Sequence, residues 1–292
     1  MRSELRRTAA FFRTHPIAKE QRLSTWRRWL SWQIRSRLTG GPKKMPWLEG
    51  ATLVVEQGMT GATGNLYCGL HEFADMAFVL HFLDGNADPS ALFLDVGANV
   101  GTYTVLASRV CGVHSIALEP GEAAYRGITR NIEVNGIGNL ATVHQVAAGR
   151  EPGQLRFSVD RDTPMNQIVG DDYPGQTVSV PVTTIDAILN SRNVILIKMD
   201  VEGHEAAALH GARFCLDNPL TAAILVEADN PEVVSQLKDA GFERVDYDPI
   251  RRRICPIDGQ THLGNHLWVR DAARVTATCQ AARRFHVFGF EF

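Results

Sequence analysis

An apolar run, an aspartate and a loop with two glycines follow one another in Phe93-Leu94-Asp95-Val96-Gly97-Ala98-Asn99-Val100-Gly101-Thr102-Tyr103-Thr104. This order predicts a buried strand that turns through the loop into a helix. The glycines let the backbone approach a ligand closely, and the first amides of the helix offer unpaired donors to its anionic groups. The stretch therefore predicts a nucleotide-type cofactor site on an α/β fold.

The spacing of the glycines narrows the choice of cofactor. Dinucleotide folds use Gly-x-Gly-x-x-Gly, whereas this loop reads Gly-x-Asn-x-Gly. We therefore favour S-adenosylmethionine (SAM) over another nucleotide or a merely structural turn. The residues expected to form its site in this stretch are Asp95, Gly97, Ala98, Asn99, Gly101, Thr102, Tyr103 and Thr104.

A second apolar run, residues 114–118, ends in Glu119 and Pro120. Adjacent parallel strands of an open sheet bring their carboxyl ends to one crevice, so we expect Glu119 to accept hydrogen bonds from both ribose hydroxyls. A solvated glutamate at a strand end is the structural alternative. Three further residues are assigned to the same cofactor site: Pro120, Ala147 at the end of the next predicted strand, and Asp200.

A third block, residues 194–205, is another strand-like apolar run that ends in ionisable side chains, and Thr183-Thr184-Ile185-Asp186 precedes it. Together with the loop from Asp95 to Gly101, these segments resemble the FkbM family of SAM-dependent methyltransferases, over about residues 50 to 270. The resemblance implies a class I (Rossmann-like) fold and SAM as cofactor. It also implies O-methylation of a hydroxyl on a sugar, glycolipid or polyketide-type acceptor.

Methyl transfer to a hydroxyl needs a base, because alcohols are poor nucleophiles at neutral pH. Asp200 is our first choice for the base or for the group that orients the acceptor, with Lys198 paired to it on one strand face. An ion pair that only fixes the end of the strand is the alternative. Site roles are also assigned to Glu202, to His204 as a possible base, and to Glu227, which ends the strand predicted at 222–228.

A metal-assisted reaction is an alternative, because side chains with oxygen atoms are predicted to lie at the same edge of the sheet. Asp200, Glu227 and Asn230 carry the ligand types that Mg²⁺ prefers, but their spacing does not demand a metal and we expect none. N-methyl transfer is a further alternative, and so is a SAM-binding, membrane-recruited protein without turnover. In the resembled fold, Glu72 precedes the core where the cofactor is capped, so it is expected to contact SAM or the acceptor, or else to be a helix-start carboxylate.

Strand and helix patterns alternate from residue 92 onward, which predicts a doubly wound, mostly parallel seven-stranded sheet. We divide the chain into a basic helical extension (1–44), a lead-in segment (45–91), a methyltransferase domain (92–272) and a C-terminal tail (273–292). Residues 58–64 are predicted to form a glycine-rich turn. The loop 160–176 is either a substrate lid or an inert surface excursion.

The net charge of −2 conceals an uneven distribution, because residues 1–44 carry +10 and the remainder −12. Apolar side chains recur at helical spacing over 22–38, which predicts a basic amphipathic helix. This helix either packs on the domain through Trp26, Leu30 and Ile34, lies on an anionic membrane surface, or binds a partner protein. We favour packing, with a basic outer face left free for lipid or a glycolipid acceptor.

The composition, 45% apolar and 21% charged over 292 residues, is that of a globular protein. Five widely spaced cysteines without a Cys-x-x-Cys pair favour reduced thiols over disulfides or zinc. Neither a membrane-spanning run nor a secretory signal is recognised, so we expect a cytoplasmic protein, with peripheral membrane contact through residues 22–38 as the open alternative. The net negative charge of residues 45–292 argues against a nucleic acid as partner. The sequence does not determine the acceptor or the oligomeric state.

Overall fold

The structure is a computed structural model that describes residues 2–159, 166–170, 172–257 and 264–292. Its centre is an eight-stranded sheet. Five strands are parallel: β3 Leu92–Val96, β4 His114–Leu118, β5 Ala141–His144, β9 Leu196–Met199 and β10 Ala223–Val226. Three antiparallel strands extend the sheet beyond β10: β11 Glu243–Asp248, β12 Arg253–Cys255 and β13 His266–Val269.

The strand order is β12-β11-β13-β10-β9-β3-β4-β5, which contains all seven predicted strands. The prediction of seven was one too few, because the three-residue edge strand β12 is too short to show an alternating pattern. The order reverses at β3, with β4 on one side and β9 on the other, and such a reversal opens a ligand crevice at the strand ends. The register sets Asp95 beside Lys198, so the glycine loop and the ionisable cluster meet there.

Helices cover both faces of the sheet, as a doubly wound fold requires. One apolar cluster joins the sheet to α5 Phe73–Asp84, to α6 Thr102–Val105 with its π-helical continuation Leu106–Val110, and to α7 Glu122–Asn135. The other cluster joins it to α8 Ile185–Leu189, α9 Glu205–His210, α10 Arg213–Asp217 and α11 Pro231–Asp239. Helices α9 and α10 are separated at Gly211, where a side chain would overlap the carbonyl oxygen of Gly149.

Residues after the last sheet strand are folded against the core. Helix α12 Ala272–Ala281 packs on α5, and the hairpin β14 His286–Val287 and β15 Phe290–Glu291 follows it. Phe285 and Phe292 are fully buried. The end of the chain therefore contributes to the hydrophobic core beneath α5.

A second, three-stranded sheet lies over the crevice. It consists of β6 Ala147–Ala148, β7 Gly153–Ser158 and β8 Thr177–Thr183, in the order β6-β8-β7. The predicted loop 160–176 joins β7 to β8, and its residues 160–165 and 171 lie outside the described residues. Of its described residues, 166–170 and 172–176, the first segment pairs with β7 through a bridge between Ile168 and Phe157.

The amino-terminal part contains helices α1 Arg2–Thr14, α2 Pro16–Glu20, α3 Arg22–Thr39 and α4 Thr60–Cys68, the hairpin β1 Lys43–Pro46 and β2 Thr52–Val55, and a 3₁₀ turn at Leu48–Gly50. The predicted turn at 58–64 was therefore largely wrong, since a helix begins at residue 60. Gly64 is needed there for close packing, because any side chain would overlap the His71 ring.

Helix α3 confirms the predicted helix over 22–38 and its packing on the core, where Trp26 contacts Phe12, but Leu30 and Ile34 do not pack as expected. Thr25, Trp32 and Ser36 are buried, whereas Leu30 is 53% exposed and Ile34 50% exposed. Both faces of this helix carry apolar side chains, so its periodicity does not determine which face packs. Within the described residues, no helix combines the length and apolar character needed to cross a membrane.

Candidate functional site

A cavity of about 630 Å³ opens at the carboxyl ends of β3, β4 and β9. The glycine loop and the start of α7 form one end, and the side chains that follow β9 and β10 form the other. The second sheet closes one side, through residues 157–159, 166–168 and 178. The cavity therefore lies at the strand reversal where the fold predicts a ligand.

The glycine loop adopts a backbone that few residues other than glycine tolerate. The φ angles are +77° at Gly97, +50° at Asn99 and +80° at Gly101, all in the left-handed region. A side chain at Gly97 would also overlap the carbonyl oxygen of Asp200. The two glycines thus shape the loop and let it lie against the residues that follow β9.

Glu119 is almost fully buried and is bonded to the loop. Its Oε2 accepts a hydrogen bond from the backbone N–H of Asn99 at 2.8 Å, and its Oε1 accepts one from the N–H of Gly121 at 2.7 Å. Burial raises the pKa of Glu119 to about 7, against the lowering effect of these two amides. Each carboxylate oxygen keeps a second acceptor position, so Glu119 can bind a hydroxyl donor while it holds the loop.

Asp95 lies beneath the loop with 1% of its surface exposed. Its Oδ2 accepts a hydrogen bond from the Thr104 hydroxyl at 2.7 Å, whereas its buried Oδ1 has no partner among the described residues. Burial raises the pKa of Asp95. A buried carboxylate oxygen without a partner is costly, and the charge of Lys198 opposes the effect of burial on the ionised Asp95.

The opposite end of the cavity contains a network of buried charges. Lys198 Nζ, on a side chain only 4% exposed, donates to Asp200 Oδ2 at 2.7 Å and lies 5.1 Å from the centre of the Tyr103 ring. The Tyr103 hydroxyl donates to Glu72 Oε2 at 2.7 Å. Glu72 begins α5 but forms no capping hydrogen bond, because its carboxylate turns toward Tyr103.

These charges set the protonation states of Lys198 and Asp200. Burial alone would lower the pKa of Lys198, but the carboxylates of Asp200, Glu72 and Asp95 outweigh it and raise that pKa. Burial likewise opposes ionisation of Asp200, yet Lys198 holds the pKa of Asp200 below its usual value. Lys198 and Asp200 are therefore both charged at neutral pH.

Two further carboxylates stand beside Asp200 at the rim. Oxygen atoms of Asp200, Glu202 and Glu227 all lie within 4.8 Å of one another. Partial burial of the Glu227 carboxyl and the neighbouring charge of Asp200 raise the pKa of Glu227 to about 8. Glu202 has a left-handed backbone (φ +51°), and burial together with Asp200 raises its pKa. Backbone strain of this kind is frequent in functional sites.

Most side chains assigned to the site from sequence line the cavity: Glu72, Gly97, Ala98, Asn99, Thr102, Tyr103, Glu119, Pro120, Ala147, Lys198, Asp200, Glu202 and Glu227. Asp95, Gly101 and Thr104 are not among its lining residues, and Asp95 and Thr104 bond to each other beneath the loop.

Two further polar residues considered in the sequence, His204 and Asn230, lie outside the cavity, as does His266 at the start of β13. His204 is not a lining residue, and its ring lies close to Gly149. Asn230 caps α11 by accepting from the Val233 N–H at 3.1 Å, so it does not join Asp200 and Glu227 as a ligand. His266 lies 2.6 Å from an Arg244 nitrogen at the sheet edge.

The sequence did not predict that the second sheet forms one wall of the cavity. Phe157, Gln167, Ile168 and Val178 all line the cavity. The only available signal was the long loop 160–176, which the sequence allowed to be either a substrate lid or an inert surface excursion. His71, which lines the cavity beside Glu72, was also not predicted as a site residue.

Sequence comparison identifies the family. The model of the methyltransferase FkbM domain matches residues 95–245, more than half of the chain. The chain belongs to the FkbM methyltransferase family. The resemblance seen in the three sequence segments is thereby confirmed, and so is the class I methyltransferase fold, whose reversed strand order is described above. None of the curated protein sequences matches the chain.

Several solved structures are similar at low identity. Methyltransferase FkbM from Methylobacillus flagellatus KT is 17% identical with a TM-score of 0.45, over 74% of this chain and 55% of that one. A SAM-dependent methyltransferase from Agrobacterium tumefaciens is 10% identical with a TM-score of 0.46, over 80% and 72%. A SAM-dependent O-methyltransferase from Thermotoga maritima is 14% identical with a TM-score of 0.37, over 66% and 63%. This FkbM chain thus spans little more than half of the first relative.

Proposed function

We propose that this FkbM protein is a SAM-dependent O-methyltransferase that methylates a hydroxyl of a sugar, glycolipid or polyketide-type acceptor. One observation carries the proposal: a single cavity holds the glycine loop with Glu119 at one end and the charged group of Lys198, Asp200 and Glu227 at the other. Cofactor binding and proton removal are thus provided in one space. The carboxylate-rich end favours an acceptor that donates hydrogen bonds, as a hydroxyl does.

The residues at the loop end fit SAM. Glu119 would accept hydrogen bonds from the ribose hydroxyls, and the loop at Gly97 gives the ligand close access to the backbone. SAM supplies a methyl group activated by its sulfonium. The chain's own task is to align the acceptor oxygen with that methyl group and to remove the acceptor's proton.

We assign the proton-handling steps to the opposite end of the cavity. Asp200, kept ionised by Lys198, accepts a hydrogen bond from the acceptor hydroxyl and orients it. Glu227 takes the proton, because a base works best when its pKa lies near the working pH and its pKa is raised to about 8. Lys198 and Tyr103 hold Asp200 and Glu72 in place.

A metal-assisted reaction is the second candidate, since oxygens of Asp200, Glu202 and Glu227 lie within 4.8 Å of one another. Three clustered carboxylates can bind Mg²⁺. The ion pair with Lys198 already neutralises part of their charge, which makes the metal-free reaction our preference.

An acceptor screen tests this proposal. Purified protein and methyl-labelled SAM are incubated with cell glycan, lipid and small-molecule fractions, with and without a chelator. We expect label in an alkali-stable ether of a hydroxyl compound, unaffected by the chelator. Loss of transfer on chelation would establish the metal-assisted alternative, label on nitrogen would establish N-methyl transfer, and SAM binding without transfer to any fraction would favour a binding protein.

Turnover is expected to rise with pH through a midpoint near 8, because Glu227 must lose its proton before it can act as a base and its pKa is about 8. The kcat measured with the labelled acceptor fraction over a pH series checks this. The Glu227→Gln variant should show low turnover and no inflection near that pH. A wild-type profile that stays flat through this range would remove Glu227 from the base role.

The five cysteines are all unpaired in the structure. This is compatible with a cytoplasmic location, where thiols remain reduced, and we include that location in the proposal.

A further inference from the structure

Helix α3 is apolar on two opposite faces, and only one of them is covered. The buried face contains Thr25, Trp32 and Ser36. The other face carries four large aliphatic side chains at helical spacing, with exposed fractions of 83% at Leu23, 53% at Leu30, 50% at Ile34 and 78% at Leu38. A contiguous exposed apolar stripe of this kind is unusual for a protein surface and marks an interaction site.

The same helix is strongly and exclusively basic. Residues 21–48 contain five arginines and two lysines and no acidic residue. Arg27 is exposed and lies one turn from both Leu23 and Leu30 on the aliphatic face, and Arg35 is exposed at its flank. Across the part of the chain that the structure describes, neither Arg27 nor Arg35 forms an ion pair. The face is therefore apolar and positively charged together.

We propose that this docking face, formed by Leu23, Arg27, Leu30, Ile34 and Leu38, binds the surface of an anionic lipid bilayer with α3 lying in the membrane plane. An amphipathic helix of this type inserts its aliphatic side chains at the boundary between headgroups and acyl chains. Its arginines meet the lipid phosphates at the same depth. Because the opposite face stays packed on the core, docking requires no unfolding of the helix.

The charge and the shape of the docking face favour a bilayer over a second copy of the chain. A protein partner would have to be apolar and acidic over the four turns from Leu23 to Leu38. The other large apolar side chains exposed among the described residues are dispersed over separate segments: Leu5, Val159, Val178, Phe214, Leu220, Ile250, Ile257 and Phe288. Outside the docking face, the described surface thus offers no apolar face of that length. Pairing of the docking face with itself in a second copy would bring like charges together, whereas an anionic bilayer provides both an apolar phase and negative charge.

Sedimentation with vesicles tests the docking face on the full-length protein. We expect binding to vesicles of phosphatidylcholine with phosphatidylglycerol, little binding to phosphatidylcholine alone, and release at high salt, since attraction between surface charges is screened within about 8 Å at physiological ionic strength. The double variants Leu30→Ser/Ile34→Ser and Arg27→Glu/Arg35→Glu should each bind anionic vesicles about tenfold or more weakly.

Two further double variants test whether weaker vesicle binding has another cause, either a loss of stability or the removal of any exposed apolar side chain. Leu23→Ser/Leu38→Ser changes the most exposed positions of the face, so it should weaken vesicle binding without affecting the melting temperature. Leu220→Ser/Ile250→Ser changes comparably exposed side chains elsewhere, 41% and 48%, and should bind vesicles like the wild type.

Three outcomes would overturn the proposal. The first is a wild-type protein that binds anionic vesicles no better than neutral ones. The second is unchanged vesicle binding by both serine variants of the docking face. The third is a dimer in solution, seen by light scattering, that these variants dissociate, because the face would then be an interface between copies of the chain.

Discussion

The Asp200→Asn variant is expected to lose turnover by about 100-fold or more, the scale of a lost proton-transfer or orienting group. Its affinity for SAM should stay close to that of the wild type, because the substitution leaves the Asp200 backbone against the glycine loop and leaves Glu119 unchanged. The asparagine keeps an oxygen that can accept from Lys198 Nζ, so the fold should persist. Single-turnover methyl transfer and SAM titration on the same preparation separate the two effects.

Asp229→Asn is the matched control for this variant. Asp229 lies just beyond the next strand, is 56% exposed at the side chain and pairs with Arg244 instead of lining the cavity. It should keep wild-type turnover. If Asp200→Asn instead retains turnover while its melting temperature collapses, the role of Asp200 is to neutralise the buried Lys198, and the chemistry lies elsewhere.

Deletion of residues 1–40 should leave a protein that aggregates or melts far below the wild type. Phe12, Ile17 and Trp32 are almost completely buried, and each such side chain stabilises by about 1.5–3 kcal/mol. Their combined loss is comparable to the whole stability of a domain, about 5–15 kcal/mol. The deletion also removes hydrogen bonds from His15 to the Leu70 carbonyl oxygen and from Arg28 to that of Tyr67, next to the cavity wall.

Thermal unfolding and sedimentation of the truncated chain check this expectation. Removal of residues 1–7 is the control, because Leu5, Arg6 and Arg7 are exposed and their loss should leave the melting temperature nearly unchanged. A soluble chain lacking residues 1–40 that melts like the wild type would show that the extension is dispensable for the fold.

The sequence predicted the loop end of the cavity well, because each element there is local. The strand, the glycine loop and the start of the helix are formed by consecutive residues from Phe93 to Thr104. A neighbouring parallel strand that ends at Glu119 must bring that residue to the same edge of the sheet. The sequence did not predict that the Glu119 carboxylate accepts hydrogen bonds from the backbone amides of Asn99 and Gly121. That contact depends on how two loops meet in space.

The predictions that were wrong concern segments in which tertiary packing, and not the local sequence, determines the structure. Gly61 and Gly64 led to the prediction of a turn at 58–64. In the structure Gly64 lies in helix α4, and a glycine is required there because the His71 ring packs against it. Helix α3 offered a Trp-bearing face and a leucine face, and contacts such as Phe12 with Trp26 and Tyr67 favoured the first. The raised pKa of Glu227 likewise depends on Asp200, which comes from another strand.

Titration calorimetry of SAM with the purified protein tests whether the glycine loop and Glu119 form a SAM site, at a pH above the raised pKa of Glu119, about 7. We predict one SAM per chain with affinity in the micromolar range. Glu119→Ala should weaken binding by about 1.5–3 kcal/mol through the loss of charge-assisted ribose hydrogen bonds, while Glu133→Ala, on the exposed side of α7, should not. A wild-type protein that binds no SAM, or a Glu119→Ala variant with unchanged affinity, would contradict the cofactor site described here.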